Sequence, residues 1–189
     1  EPDSAGTHLM LGQALQAQDK TDLALAQFDT ALQIKPDLIE ADVLRIFTFL
    51  RKQQHDAALQ AVTEFKSRHP KSPVPDVLAA SAYIGKKDYT KARQALEQAL
   101  AQDSKYFPAR ASLAQLALLQ NDPAAARRYY QDILKQNPAH LDSLLALAAL
   151  EVTTGKPKES VAWLEKARQK HPKNLAPALL LINAHLQLN

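Results

Sequence analysis

Six histidines, His8, His55, His69, His140, His171 and His185, are the side chains best suited to bind a metal or move a proton near neutral pH. A zinc or general-base site needs such residues at i, i+4 on one helix face, or beside an orienting carboxylate. None of the six has that partner. His69 and His171 each precede a proline, Pro70 and Pro172, and so share a structural slot in separate parts of the chain. His185 is expected at an inward position of its helix. The carboxylates Glu40, Asp42, Glu64, Glu97, Asp132, Glu151 and Glu165 fall at turns and outer faces, where they would solubilise helices or pair at i, i+4. Their spacing gives no pair held in one dry cleft for acid–base work. Ser112, Ser143 and Ser160 have neither a glycine elbow nor a companion base. Gly12, Gly85 and Gly155 belong to no phosphate-binding loop and read as packing or turn glycines. The chain contains no cysteine, which excludes disulfides and thiol chemistry. A non-catalytic protein with no metal and no cofactor is therefore expected.

The elements that carry these residues follow one lattice. Counting from Pro36 in steps of 34 reaches Pro70, Ser104, Pro138 and Pro172, in a chain with only 11 prolines. With the proline at position 32, the repeats are 5–38, 39–72, 73–106, 107–140 and 141–174, and 175–189 is half of a sixth. Residues 1–4 form a short tail. Position 20 is small throughout, at Ala24, Ala58, Ala92, Ala126 and Ser160. Position 8 reads Gly12, Ile46, Ala80, Ala114 and Ala148. Position 24 is the large apolar knob, at Phe28, Val62, Leu96, Tyr130 and Leu164. Position 27 reads Ala31, Phe65, Ala99, Ile133 and Ala167. Small residues facing small residues let two helix axes approach closely.

Leu11, Gly12, Ala24, Phe28, Ala31 and Pro36 together resemble the tetratricopeptide repeat, whose pattern is Trp-x2-Leu-Gly-x2-Tyr, Ala-x3-Phe and Pro. The resemblance covers residues 5–189. It implies an all-α, right-handed α-solenoid of about five and a half helix-turn-helix repeats. The helices are expected over 6–17, 21–34, 38–53, 56–69, 74–86, 89–102, 107–120, 123–136, 141–154, 157–170 and 175–187. Asp122 before Pro123 reads as a capping residue, and Asp88 and Asp56 are expected to serve alike. Gly155-Lys156-Pro157 ends one helix and starts the next. Repeat 2 departs from the pattern, with Arg45 where Leu is usual, Ile46 where a small residue is usual and Phe65 where Ala is usual. Either its helices sit further apart or the first is rotated; the retained Ala58 favours wider spacing. Position 4, the Trp of the pattern, reads His8, Asp42, Asp76, Arg110 and Leu144.

In tetratricopeptide proteins the first helices line a concave face, and some members clamp a peptide carboxylate there with Lys, Asn and Arg. At the matching positions this chain has Leu9 and Gln13; Val43, Phe47 and Leu50; Val77, Ser81 and Ile84; and Ala111, Gln115 and Leu118. Gln16 belongs to the same set, as do Leu145, Ala149 and Val152 in repeat 5. The basic clamp is absent, which argues against recognition of a chaperone tail. Two readings stand. These apolar positions pack on one another, or they form an open groove for a protein partner's amphipathic helix or extended apolar peptide, with Phe47 as anchor.

The net charge of +3 is spread along the chain and fits a solvated helical surface, not a nucleic-acid stripe. Arg127-Arg128-Tyr129-Tyr130 is the nearest basic-aromatic cluster, and its Tyr130 falls at a core position. No run approaches the roughly 18 apolar residues that span a bilayer. The lone final helix carries apolar Leu179, Leu181, Ile182 and Leu186, unlike the polar cap of a finished solenoid. The chain thus reads as a piece of a longer repeat protein, or as a homodimer joined through Leu179, Ile182 and Leu186. The Ala/Leu/Gln-rich texture, as in residues 113–157, is similar to bacterial tetratricopeptide lipoproteins associated with exosortase/PEP-CTERM exopolysaccharide export. That resemblance implies an envelope or periplasmic scaffold with a lipidated cysteine upstream. A regulatory or substrate-presenting arm of a larger enzyme, such as a glycosyltransferase, and a self-assembling structural solenoid are the alternative functions.

Overall fold

The structure, a computed structural model, describes residues 4–188. It contains eleven α-helices among those residues and no strand. They are α1 Ala5–Ala17, α2 Thr21–Ile34, α3 Ile39–Arg51, α4 His55–Arg68, α5 Val74–Gly85, α6 Tyr89–Gln102, α7 Phe107–Leu119, α8 Pro123–Gln136, α9 Leu141–Thr153, α10 Pro157–Lys170 and α11 Ala176–Leu188. Each lies within two residues of the range expected from the lattice. The helices fall into two compact units, one ending at Ser104 with α1–α6 and the other starting at Lys105 with α7–α11.

In the first unit, α1–α2, α3–α4 and α5–α6 are helical hairpins. The α1–α2 crossing is set by Gly12 and Phe28. The Phe28 ring is fully buried and lies where a side chain on Gly12 would begin. Ala5, Leu9, Ala24, Ala31, Leu32 and Ala41 complete that core. In α3–α4, Ile46 and Phe65 are both fully buried, and the two backbones come less close than in α1–α2 or α5–α6. Bulky side chains at the crossing hold the helices apart, as the retained Ala58 suggested.

In the second unit, α7–α8 and α9–α10 are hairpins and α11 packs on α10. Ala114, Ala117, Ala126, Tyr130, Ile133, Leu144, Leu147 and Ala167 belong to one core. Tyr130 is the buried knob of α8, and burial raises its phenol above the ordinary value. Trp163, the only tryptophan of the chain, packs half-buried against the cores around α9 and α11, with Lys166 Nζ 5.4 Å from its ring centre.

One turn recurs in all five hairpins. Asp19, Gln53, Lys87, Asn121 and Gly155 occupy lattice position 15 and have φ of +60, +57, +59, +57 and +75°. After each, the next amide bonds the carbonyl five residues back, as in Lys20 N to Leu15 O and Lys156 N to Glu151 O. This is the Schellman closure of a helix C-terminus. Only Gly155 advertised it by residue type. At the start of the second helices, Asp88 accepts from Lys91 N and Asp122 from Ala125 N. Asp56 does not cap. Gln54 holds the cap position without a side-chain bond, and Asp56 lies in the first turn of α4, where it pairs with Lys86 of α5–α6. The reason is register, since Asp56 stands two lattice positions after Asp88 and Asp122.

Candidate protein-interaction site

Two carboxylates expected on outer faces are interior. Asp42 on α3 is fully buried, and Arg68 of α4 donates to it. Burial raises the Asp42 pKa, and the Arg68 guanidinium opposes that rise. Glu151 on α9 is buried and gripped at both oxygens by Arg127 of α8, from Nε and Nη2 at 2.8 Å each. Hydrogen bonding from Arg127 lowers the Glu151 pKa. Asp76 on α5 is likewise buried, held by Lys66 Nζ at 2.6 Å and Gln102 Nε2 at 2.7 Å. Asp42 and Asp76 both stand at lattice position 4, where the family pattern has its Trp. A buried carboxylate with its cation and amide donors takes the place of a ring. These pairs join neighbouring helices.

Five of the six histidines contact neighbouring parts of the fold. His8 Nδ1 meets Gln27 Oε1 at 2.7 Å, His140 caps α9 through Ser143 N, and His171 Nε2 binds the Ala139 carbonyl. The His55 ring lies against Gly85, where any side chain would collide with it. His69 packs edge-on to Phe65 at 5.2 Å. His185 is exposed, contrary to its expected inward position, because Leu181 and Ala184 supply the buried face of α11. Among the described residues, no group of three or more His, Asp or Glu could hold a metal ion.

On the first-helix face of the first unit, Leu9 is buried against the α1–α2 core and is not available to a partner. The i+3 direction of α1 turns it inward beside Gly12. Gln13 Nε2 donates to Glu40 Oε1 at 3.0 Å, and Gln16 Nε2 donates to Thr48 Oγ1 at 2.8 Å. These bridges occupy the amides expected to serve a ligand. Val43, Leu50, Val77, Ser81 and Ile84 are half-buried. Phe47 is 46% exposed and stands out from this face. On α7 of the second unit, Ala111 is half-buried, whereas Gln115 and Leu118 are exposed.

The second unit holds a cavity of about 270 Å³ between α9, α10 and α11. Leu145, Ala148, Ala149 and Val152 form one wall, Leu164 the floor and Leu180, Asn183 and Ala184 the other wall. The polar lining groups are Thr153, Ser160 and Asn183, and Thr153 Oγ1 already donates to the Leu150 carbonyl. The α9 wall was legible from the lattice. The α11 wall was not, because that helix read as an end face. A larger cavity of about 480 Å³ lies between α4, α5 and α6, but its charged members Lys66, Asp76 and Lys91 are already engaged, the last with Asp88.

Helical hairpins repeating on a fixed lattice, with a small residue at position 20 of each, define an α-helical repeat protein. Models of the tetratricopeptide repeat match residues 5–38, 83–149 and 117–167, more than half of the chain, and the chain belongs to that family. Such repeats generally mediate protein–protein contacts and are typically non-catalytic. Among solved structures, the tetratricopeptide protein TTC0263 of Thermus thermophilus is 24% identical over 97% of this chain and 100% of its own, with a TM-score of 0.74. Yeast Tom70 is 17% identical over 98% of this chain and 41% of its own, with a TM-score of 0.77. YrrB, described as having an unusual peptide-binding site, is 14% identical over 95% of this chain and 93% of its own, with a TM-score of 0.56. These likenesses establish the fold. No curated protein sequence matches the chain.

Proposed function

We propose that this chain is a non-catalytic scaffold whose first-helix faces receive an amphipathic helix or an extended apolar peptide from a partner protein. The observation that carries the reading is the cavity of about 270 Å³ between α9 and α11. Its walls are aliphatic, and its volume suits one or two apolar side chains, near the small end of ligand pockets of about 300–1,000 Å³. Asn183 supplies a polar group that could fix the direction of a bound backbone. On the first unit, Phe47, 46% exposed on α3, is proposed as an anchor in its own right. Within the first unit, Val43, Leu50, Val77, Ser81 and Ile84 are proposed as complementary first-helix surface, with Gln13 contributing only beyond its bridge to Glu40; within the second unit, Ala111, Gln115 and Leu118 are proposed separately. Texture alone extends the proposal to exopolysaccharide export or protein sorting at the bacterial envelope or periplasm. A second copy of the chain, through Leu179, Ile182 and Leu186, is the other partner proposed.

The test is a binding screen of labelled amphipathic and extended apolar peptides against the wild-type chain, Ala149→Trp and Phe47→Asp. A peptide that binds wild type and is lost by Ala149→Trp, with helicity unchanged, supports the cavity. Equal binding to wild type and Ala149→Trp, or no binding across the panel, refutes it. Loss of folding in Phe47→Asp would show that Phe47 serves packing and not recognition.

A further inference from the structure

Two successive grooves of the first unit use the same lattice positions and are filled differently. In the groove of α2, α3 and α4, Arg45 at position 7 lies between two carboxylates, Asp29 at position 25 and Glu64 at position 26, at 2.9 and 2.8 Å. In the groove of α4, α5 and α6, in the middle of the chain, those three positions hold Ala79, Thr63 and Gln98. The guanidinium and both of its partners are gone, and the cavity of about 480 Å³ stands in their place. Buried Val62, Ala79 and Ala95 form its apolar floor. Lys66 and Lys91 border it at positions 28 and 19, where the first groove has Leu32 and Ala57. We infer that this cavity seats an acidic stretch of a partner protein, with an apolar side chain on the Val62–Ala79–Ala95 floor and a neighbouring glutamate or aspartate at Lys91 and Lys66.

Charge complementarity selects that occupant. The first groove holds a cation between carboxylates, and the second reverses the arrangement. Asp76 at its border does not repel a carboxylate, because Lys66 Nζ and Gln102 Nε2 already hold it at 2.6 and 2.7 Å. Lys66 has N–H donors to spare beyond that bond. Lys91 can turn to a ligand. Its pair with Asp88 Oδ2 is an exposed i, i+3 contact at 3.1 Å, of little worth in water. Asp88 keeps its bond from the Lys91 amide when the ammonium leaves. The Thr63 and Ser67 hydroxyls donate to the Leu59 and Glu64 carbonyls, so their oxygens remain acceptors for the amides of an extended backbone. The volume lies within the range of about 300–1,000 Å³ usual for ligand pockets. This site uses the second helices α4 and α6 and is independent of the first-helix surfaces proposed above.

Fluorescence anisotropy with the 189-residue chain tests this. The probes are pools of labelled, end-blocked hexapeptides in which leucine or valine alternates with glutamate, with glutamine or with lysine. The glutamate pool should bind about tenfold or more tighter than the glutamine pool, and the lysine pool should not bind. Lys91→Glu should weaken the glutamate pool by about tenfold or more. Ala79→Leu, which gives position 7 the residue that Leu147 supplies in repeat 5, fills the floor and should weaken it as much. Phe47→Asp and Ala149→Trp should leave this binding unchanged, and ellipticity checks that each variant keeps its helices. No binding of the glutamate pool overturns the inference, as does equal binding of all the pools or an affinity that Lys91→Glu leaves unchanged. Loss of binding in a folded Phe47→Asp also overturns it, by moving the ligand to the first-helix surface. If Ala79→Leu loses helicity, Lys91→Glu decides alone, since that side chain is 58% exposed.

Discussion

Gly12→Ala, made with and without Phe28→Leu, tests the crossing that sets the first hairpin. A Cβ on Gly12 would lie 2.5 Å from Phe28 Cε1 and 2.8 Å from Cδ1. Ordinary carbon contacts sit at about 3.5–4.0 Å, so the helices must part by about 1 Å or the ring must leave its place. Phe28 is fully buried among Ala24, Ala31 and Leu32, with no slack to absorb the shift. Overpacking of this kind costs about 1–3 kcal/mol. The same substitution gains about 1 kcal/mol of helix propensity in mid-helix. The clash here falls toward the upper end, so the net loss should be about 1–2 kcal/mol in wild type. With Phe28→Leu the obstructing ring atoms are gone and only the propensity gain remains. Gly12→Ala should then stabilise by about 1 kcal/mol, a reversal of sign with a coupling of about 2–3 kcal/mol. Urea unfolding followed by ellipticity reads both, with the m-value checking that the transition keeps its character. Stabilisation in the wild-type background, or the same sign in both, would refute the packing argument.

The position-15 turns give opposite outcomes by residue. Gly155→Ala meets no atom within 4 Å, so its loss, about 1 kcal/mol in a thermal melt, is backbone strain alone. Lys87→Gly should instead gain about 0.5 kcal/mol, as relief of the φ of +59° exceeds the added chain entropy. Glu151→Gln should cost about 2 kcal/mol at neutral pH, because Arg127 loses a doubly bonded partner. Since the native Glu151 pKa is lowered from 4.5, the wild-type advantage is complete above about pH 4.5 and fades as pH falls through the native value; urea titrations from about pH 7 to about pH 3 check the sign. Arg45 bridges Asp29 at 2.9 Å and Glu64 at 2.8 Å. Both carboxylates are over a third exposed, so Arg45→Leu, which restores the family pattern, should change the stability read from urea unfolding by less than about 1 kcal/mol.

The hairpins were legible in the sequence because their signals are local and repeated. Pro36, Pro70, Pro138 and Pro172 mark the period, and Ala24, Ala58, Ala92 and Ala126 mark the crossings. Asp88 and Asp122 cap helices whose first amides lie three residues away, within reach of local reasoning. Asp42 and Glu151 escaped because their partners, Arg68 and Arg127, stand on other helices, far along the chain. An acidic residue at a degenerate lattice position looks like surface until the facing cation is placed. Leu9 was assigned to the groove by position alone, although α1 turns it into the Phe28 core. The α9–α11 cavity was half visible, with Leu145, Ala149 and Val152 on the lattice and Leu180 and Asn183 unrecognised opposite them.

Trp163 has a practical consequence of its own. The chain has one indole, and it sits in α10 of the second unit, half-shielded and close to Lys166 Nζ. Indole emission therefore watches residues from Lys105 onward and is blind to α1–α6. Far-ultraviolet ellipticity sums every helix. The two signals recorded on one sample amount to a built-in domain-resolved readout. Coincident curves mean that the halves melt as one cooperative body, and displaced curves give each half its own midpoint without a single label.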